Sequence, residues 1–250
     1  MTGVLGFGAL LARLMEHRAL DAAALSATAG AGPEELRAVL DGRAPTGRLL
    51  RALGPALGLH AADLFVLAGQ PVPDDLTPVT RNPHWSVRDV VYDTAQMPAA
   101  NRRLLLAAMR AQPPVVREGR GGVDRPYHRY EPGFGEVLVQ LTHNRNLRWM
   151  CTAEALHAVT DGRIYLSAVT IGGVGRATVA ATPELVAGFA GVLGIPAADL
   201  AALGGVELPD GLPPLHPRAA DVAAVVWEAR RLTTAQLAEV GLTARRLAGR

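Results

Sequence analysis

Seven arginines fall between positions 102 and 129 (Arg102, Arg103, Arg110, Arg117, Arg120, Arg125 and Arg129), against two acids, Glu118 and Asp124. Guanidinium groups offer forked hydrogen bonds and fixed positive charge to phosphate. A flexible arm carrying them can enter a minor groove or run along a nucleic-acid backbone. The same composition also suits a solvated linker whose charge maintains solubility, and the residues alone leave both readings open. The 250-residue chain has a formal charge of only +2, and all 25 of its basic residues are arginine. Elsewhere the balance is near zero: six basic against six acidic residues over 1–70, and four against five over 133–205. Any positive field therefore comes mainly from the arm around Arg117, Arg120 and Arg125.

Other chemistry finds little support. Gly-Phe-Gly occurs at 6–8 and again at 133–135, but a phosphate-cradling loop needs a preceding strand and a longer glycine pattern. The simpler reading is a helix entrance with phenylalanine anchored in a core. None of the seven histidines forms H-x-x-x-H or H-E-x-x-H, and the single cysteine excludes an internal disulfide and a cysteine-based zinc site. Cys151 reads as a small core residue; a redox sensor would need nearby cations to lower its pKa, and Arg148 lies one turn away. No Gly-x-Ser-x-Gly elbow occurs. The expectation is a protein that catalyses nothing, needs no cofactor and binds no metal. With no signal-like or membrane-length apolar stretch, it is expected in the cytoplasm, at the nucleoid.

The elements that must position these residues emerge from an internal repeat. GFGALLARLMEHRAL (6–20) and GFGEVLVQLTHNRNL (133–147) agree at seven of fifteen positions, 127 apart. LGLHAADLFVLAGQPVPDDLTP (57–78) is echoed by LGIPAADLAALGGVELPDGLPP (193–214), now 136 apart, so the second copy carries about nine extra residues. Around eight of them fall near HAVTDGRIY (157–165), which lengthens a helix and its following loop.

Within each copy the apolar spacing is helical. Phe7, Leu10, Leu11 and Leu14 form an i, i+3, i+4, i+7 stripe, as do Phe134, Val137, Leu138 and Leu141. Asp21 is placed to cap a second helix that Gly30 ends. Pro33 suits the first position of a third, with Glu34 and Glu35 at its positive end, and Gly42 ends it. A fourth follows Thr46, and Asp63 supports a short fifth. Five short helices per copy follow, then a helical tail beginning near Asp89 or Asp221. The divisions expected are 1–70, a helical extension over 71–112, a basic linker over 113–132, 133–205, and a C-terminal extension over 206–250. Tyr127 and Tyr130, in the linker, are expected to pack on a neighbouring domain rather than stack on bases.

The ordered series from Leu11 to Gly69 resembles the lambda-repressor-like (Cro-type) helix-turn-helix family. It has an Arg-Ala-Leu end to helix one, an Ala29-Gly30-Ala31 turn, a Gly42-Arg43 stop and a closing Leu-Gly-Leu…Asp-Leu. LSAVTIGGVGR (166–176) and TPELVAGFAGVLGIPAADLAAL, from Thr182, resemble the same domain. The resemblance covers about half the chain. It implies that helix two crosses a DNA backbone while the first residues of helix three reach base edges in the major groove.

Carried onto the first copy, the reading positions are Gly32, Pro33, Glu34, Glu35 and Arg37, and the family's common Gln at the start of helix two is Ala22. Adjacent carboxylates are repelled by phosphate, so this copy is expected to serve dimerisation or scaffolding. In the second copy Ser167 is the N-cap, Ala168, Val169 and Thr170 take the reading positions, and Arg176 lies just beyond. Arg148 and Trp149 open its second helix, where a phosphate contact is expected. Hydroxyls can bond phosphates or bases, and methyls can pack on the thymine methyl. Gly172, Gly173 and Gly175 interrupt the helix, either permitting close backbone approach or leaving it marginal.

The sequence thus reads as an all-α protein of two tandem lambda-repressor-like domains that binds double-stranded DNA in transcriptional regulation. Paired sites are usual for such domains, so either a homodimer or the internal repeat supplies the pair. The acidic first copy favours the homodimer. The rival reading is a protein-interaction module that kept the scaffold and lost its DNA surface.

Overall fold

The computed structural model describes residues 6–80, 84–115 and 130–250. Over these residues the chain forms fourteen α-helices and one 3-10 turn, Asp74–Leu76, with no strand among the described residues. The first half holds α1 Phe7–His17, α2 Ala22–Ala29, α3 Pro33–Leu40, α4 Gly47–Ala56, α5 Ala61–Leu67, α6 His84–Gln96 and α7 Ala99–Ala111. The second repeats the order with α8 Phe134–His143, α9 Trp149–Val159, α10 Ala168–Gly175, α11 Pro183–Leu193, α12 Ala197–Gly204, α13 Ala219–Ala229 and α14 Thr234–Leu247.

Local chemistry sets these boundaries. The Asp21 carboxylate accepts from Ala24 N at 2.7 Å, and Gly30 closes α2 in the left-handed region at φ 59°. Pro33 takes the first position of α3. Thr46 accepts from Leu49 N at 3.2 Å, and its counterpart Thr182 accepts from Leu185 N at 3.3 Å. Each such cap is worth about 1 kcal/mol. Of each Gly-Phe-Gly, the second glycine carries the structural demand. A methyl on Gly8 would lie 2.1 Å from Val39 O, and one on Gly135 would lie 2.2 Å from Val174 O. Glycine therefore lets the first helix of each half press onto the last turn of its third. Phe7 is buried, and Phe134 lies against Gly204.

Packing within the halves corresponds helix for helix. α1 and α2 pack on α3, α2 on α4, and α4 on α5; α8 and α9 pack on α10, α9 on α11, and α11 on α12. Leu11, Leu14, Leu36, Leu50 and Leu53 of the first half and Leu138, Leu141, Ile171, Val186 and Phe189 of the second are buried in one continuous core.

Between the halves the contacts are reciprocal. α1 packs on α12, and α5 packs on α8. Arg18, at the end of α1, donates to Asp199 Oδ1 and Oδ2 at 2.9 and 2.6 Å, and to Leu57 O at 2.8 Å. Arg145, at the end of α8, donates to Asp63 Oδ1 and Oδ2 at 2.8 and 2.7 Å, and to Leu193 O at 2.9 Å. Asp63 lies in the first turn of α5, where its charge suits the helix start, and its carboxylate also forms a wholly buried pair with a residue 82 positions away. The four tail helices interleave, with α6 on α13 and α14, and α7 on α13 and α14.

The symmetry is broken at α9. Both α6 and α13 pack on it, and it buries seven residues, from Cys151 to Val159, where α2 buries only Leu25 and Ser26. Arg88 of α6 reaches Glu154 of α9 at 2.7 Å. The extra residues of the second half lengthen α9 to eleven residues against eight for α2, and build the loop before α10. No helix among the described residues is long and apolar enough to cross a membrane.

Candidate nucleic-acid interface

The residues that could meet a ligand converge where α9 gives way to α10. Thr160, just past α9, donates to Leu156 O at 2.7 Å and accepts from Ile164 N at 3.1 Å, which pins the connecting loop. Ile164 is buried as its anchor, while the next residue, Tyr165, is 85 % exposed. The Tyr165 ring meets His157 edge-on at 5.7 Å. Ser167 then caps α10, its hydroxyl accepting from Thr170 N at 3.2 Å and lying 2.9 Å from Thr170 Oγ1.

Beyond this turn α10 sinks into the protein. Ser167 and Val169 face solvent, Ala168 and Thr170 are half-buried, and Ile171 to Gly175 are all buried. The glycines provide close approach. A methyl on Gly172 would lie 2.7 Å from the Trp149 ring, one on Gly173 2.7 Å from Val179, and one on Gly175 2.5 Å from the Tyr130 ring. A helix weakened by glycine is thus held by aromatic rings seated on the space the side chains would have filled. Ser167, Val169 and Thr170 are offered outward at its positive end.

Trp149 has a packing role here. Its Nε1 donates to Tyr130 Oη at 2.9 Å, and the Arg176 guanidinium lies 5.3 Å from its ring centroid. Tyr130 packs on the second half, as its position in the linker suggested; Tyr127 lies outside the described residues. Arg148 is the N-cap residue of α9, with its carbonyl accepting from Thr152 N at 2.7 Å. Arg163 bonds the carbonyls of Pro213 and Pro214 at 3.3 and 2.8 Å. The nearby acids are matched: Glu154 by Arg88, and Asp161 by Arg218 at 2.5 Å.

Arg117, Arg120 and Arg125 lie outside the described residues. Of the other arginines in that run, Arg102 is held by Asp221 at 2.6 Å and by Met97 O, and Arg110 by Glu228 at 3.0 Å. These two tie α7 to α13 and contribute less free charge than the composition suggested.

The corresponding surface of the first half differs in chemistry. Glu34 is exposed and receives Arg37 at 2.5 Å, while Glu35 accepts from the Thr46 hydroxyl at 2.7 Å. One carboxylate thereby steadies the start of α4, and the other is half-neutralised on the surface.

Tyr165, Arg163 and Met150, the last 48 % exposed, were not singled out by sequence reasoning. For Arg163 and Tyr165 the only signal was their position in the inserted segment, where a loop can carry exposed residues without disturbing the repeat, and Met150, in the first turn of α9, carried none. Cys151 is buried, and burial pushes its thiol up to about 11, the reverse of what a redox sensor needs. Among the described residues no cluster of three His, Cys, Asp or Glu side chains could hold a metal ion. Compared with protein-family models, curated proteins and solved structures, the chain gives no significant match.

Proposed function

We propose that the protein binds double-stranded DNA as a transcriptional regulator, reading it with the first turn of α10. The observation that carries this reading is the turn itself. It is capped by Ser167, exposes Val169 at 69 %, and is sunk into the protein immediately behind Thr170. A helix N-terminus concentrates unsatisfied N–H groups and positive potential, so hydroxyls there suit phosphate and base acceptors. Val169 suits a thymine methyl, and Arg148, Arg163 and Arg176 on the flanking elements suit phosphates. The first half, with Glu34 and Glu35 at the equivalent turn, serves as scaffold.

A titration of duplex DNA across a salt series tests this. Affinity should fall on a log–log slope of about 0.9 per phosphate contacted. Arg148→Ala should lower that slope by about one for every sequence alike, while Thr170→Ala relaxes preference at one base position. No binding of any duplex even at low salt refutes the reading.

A second reading has its own support. α6 and α13 cover α9, the helix that crosses the DNA backbone in the family the sequence resembles, and Tyr165 and Met150 present apolar surface nearby. A protein-interaction module would have these features. Under it, Tyr165→Ser abolishes partner capture, and duplex DNA is ignored at every salt concentration.

A further inference from the structure

We propose that one chain is itself the complete two-subunit unit: its halves occupy the two positions of an isologous pair, leaving no place for a second copy on that face. In an isologous interface, residue i of one subunit meets residue j of the other, and j meets i. The contacts between these halves obey that rule at three levels. At the level of helices, the first of each half packs on the fifth of the other. At the level of side chains, Arg18 meets Asp199 and the Leu57 carbonyl, while Arg145 meets Asp63 and the Leu193 carbonyl. These are the same three groups, displaced by 127 positions for the arginine and by 136 for the aspartate and the leucine. At the level of the tails, each of α6 and α7 packs on both α13 and α14.

Two tandem domains resting together by chance have no reason to exchange equivalent contacts. Two copies of one dimerising ancestor, joined end to end, must do so. The helix faces and tail surfaces that would recruit another chain are therefore already covered from within.

The two interfacial pairs have since diverged. Arg145 and Asp63 are both 0 % exposed, whereas the Arg18 side chain remains 24 % exposed. Asn144 joins the buried pair through Asp63 Oδ1 at 3.1 Å and holds Arg230 through its own side chain at 2.9 Å. Arg230 in turn lies 4.0 Å from the Trp227 ring centroid, whose ring stacks on His60 at 3.4 Å. The first half has been fixed to the second more firmly on one side than on the other.

A consequence resting on the DNA reading follows. The unit presents one reading turn, Ser167/Val169/Thr170, while the equivalent turn of the other half carries Glu34 and Glu35 and does not read, so its target is an asymmetric site bound by one chain. A palindrome bound by two chains is not expected.

Sedimentation equilibrium of the intact protein should return the mass of one chain, 26.2 kDa, from low to high micromolar concentration. After cleavage at a protease site inserted within 117–129, the two fragments should stay in a one-to-one complex and unfold together. A chain that dimerises, or fragments that separate under native conditions, overturns the proposal. The duplexes selected by the intact protein separate this from the DNA reading. One chain on a non-palindromic duplex supports both, and two chains on a palindrome overturn only the internal pair. No duplex bound by a one-chain protein whose fragments stay associated overturns only the DNA reading.

Discussion

Removing the Asp63 carboxylate should be among the most damaging single changes open to this protein. In Asp63→Ala the Arg145 guanidinium, 0 % exposed, keeps its bonds to Leu141 O and Leu193 O but loses both carboxylate bonds and the countercharge. Breaking a buried pair from one side costs about 3–5 kcal/mol, because a charge is left without water or partner. Against a total stability of about 5–15 kcal/mol this is a large fraction, and in a chain of this size it lowers Tm by about 10 °C. Asp199→Ala breaks the counterpart pair, but Arg18 reaches solvent, so water replaces the lost partner and the cost should be about 1–2 kcal/mol. Guanidinium denaturation with identical m-values measures both. A third variant isolates the cause: Asp63→Leu with Arg145→Met removes both charges and should recover most of the loss. Equal costs for Asp63→Ala and Asp199→Ala, or a double variant no better than the single, would refute the desolvation argument.

Three further outcomes are expected. His60 is exposed as a residue, but Trp227 stacks on its ring, and this partial desolvation, with Arg145 and Arg230 nearby, lowers its pKa below the ordinary value while Asp63 opposes. The folded state thus disfavours the proton, and stability should be full above about pH 6.5 and fall as acid takes the pH down through the lowered value. His60→Phe should flatten that limb of a stability-against-pH curve, and an unchanged limb would sink the assignment. Cys151, with its thiol pushed up to about 11, should resist alkylation in the native protein at mildly alkaline pH and react at once in denaturant, as mass spectrometry can follow. Gly135→Ala drives a methyl against the Val174 carbonyl and should cost about 3 kcal/mol, whereas Gly211→Ala, with open space around it, should be neutral in the same melt.

Much of the fold is legible along the chain because its causes are local. Asp21, Gly30, Pro33 and Thr46 mark helix ends by bonding or freeing backbone groups within three or four residues, and the structure keeps each mark. The repeat extends that legibility to the second half, where Thr182 caps α11 as Thr46 caps α4. The candidate site was only partly legible. Ser167 could be recognised as a cap, since capping is local, but Trp149 looked like a phosphate-contact residue. Its partner Tyr130, 19 positions earlier, and the Gly172 gap it fills are visible only when α9 and α10 come together. Tyr165 carried no periodic signal, so its exposure could not be foreseen.

By itself, then, the sequence determined an all-helical chain, the fivefold helix order of each copy, and the equivalence of the copies. Apolar spacing and cap chemistry are short-range and survive reading in one dimension. Only the tertiary structure decided what the copies do with each other. Arg18 and Arg145 are separated from their carboxylates by 181 and 82 positions, and nothing in the spacing of a charge names its distant partner. The same packing decided which arginines remain available, by burying Arg145 and most of Arg102 against carboxylates and pairing Arg110 with Glu228 at the surface. Burial converts a surface charge into a structural one, and burial is a property of the fold.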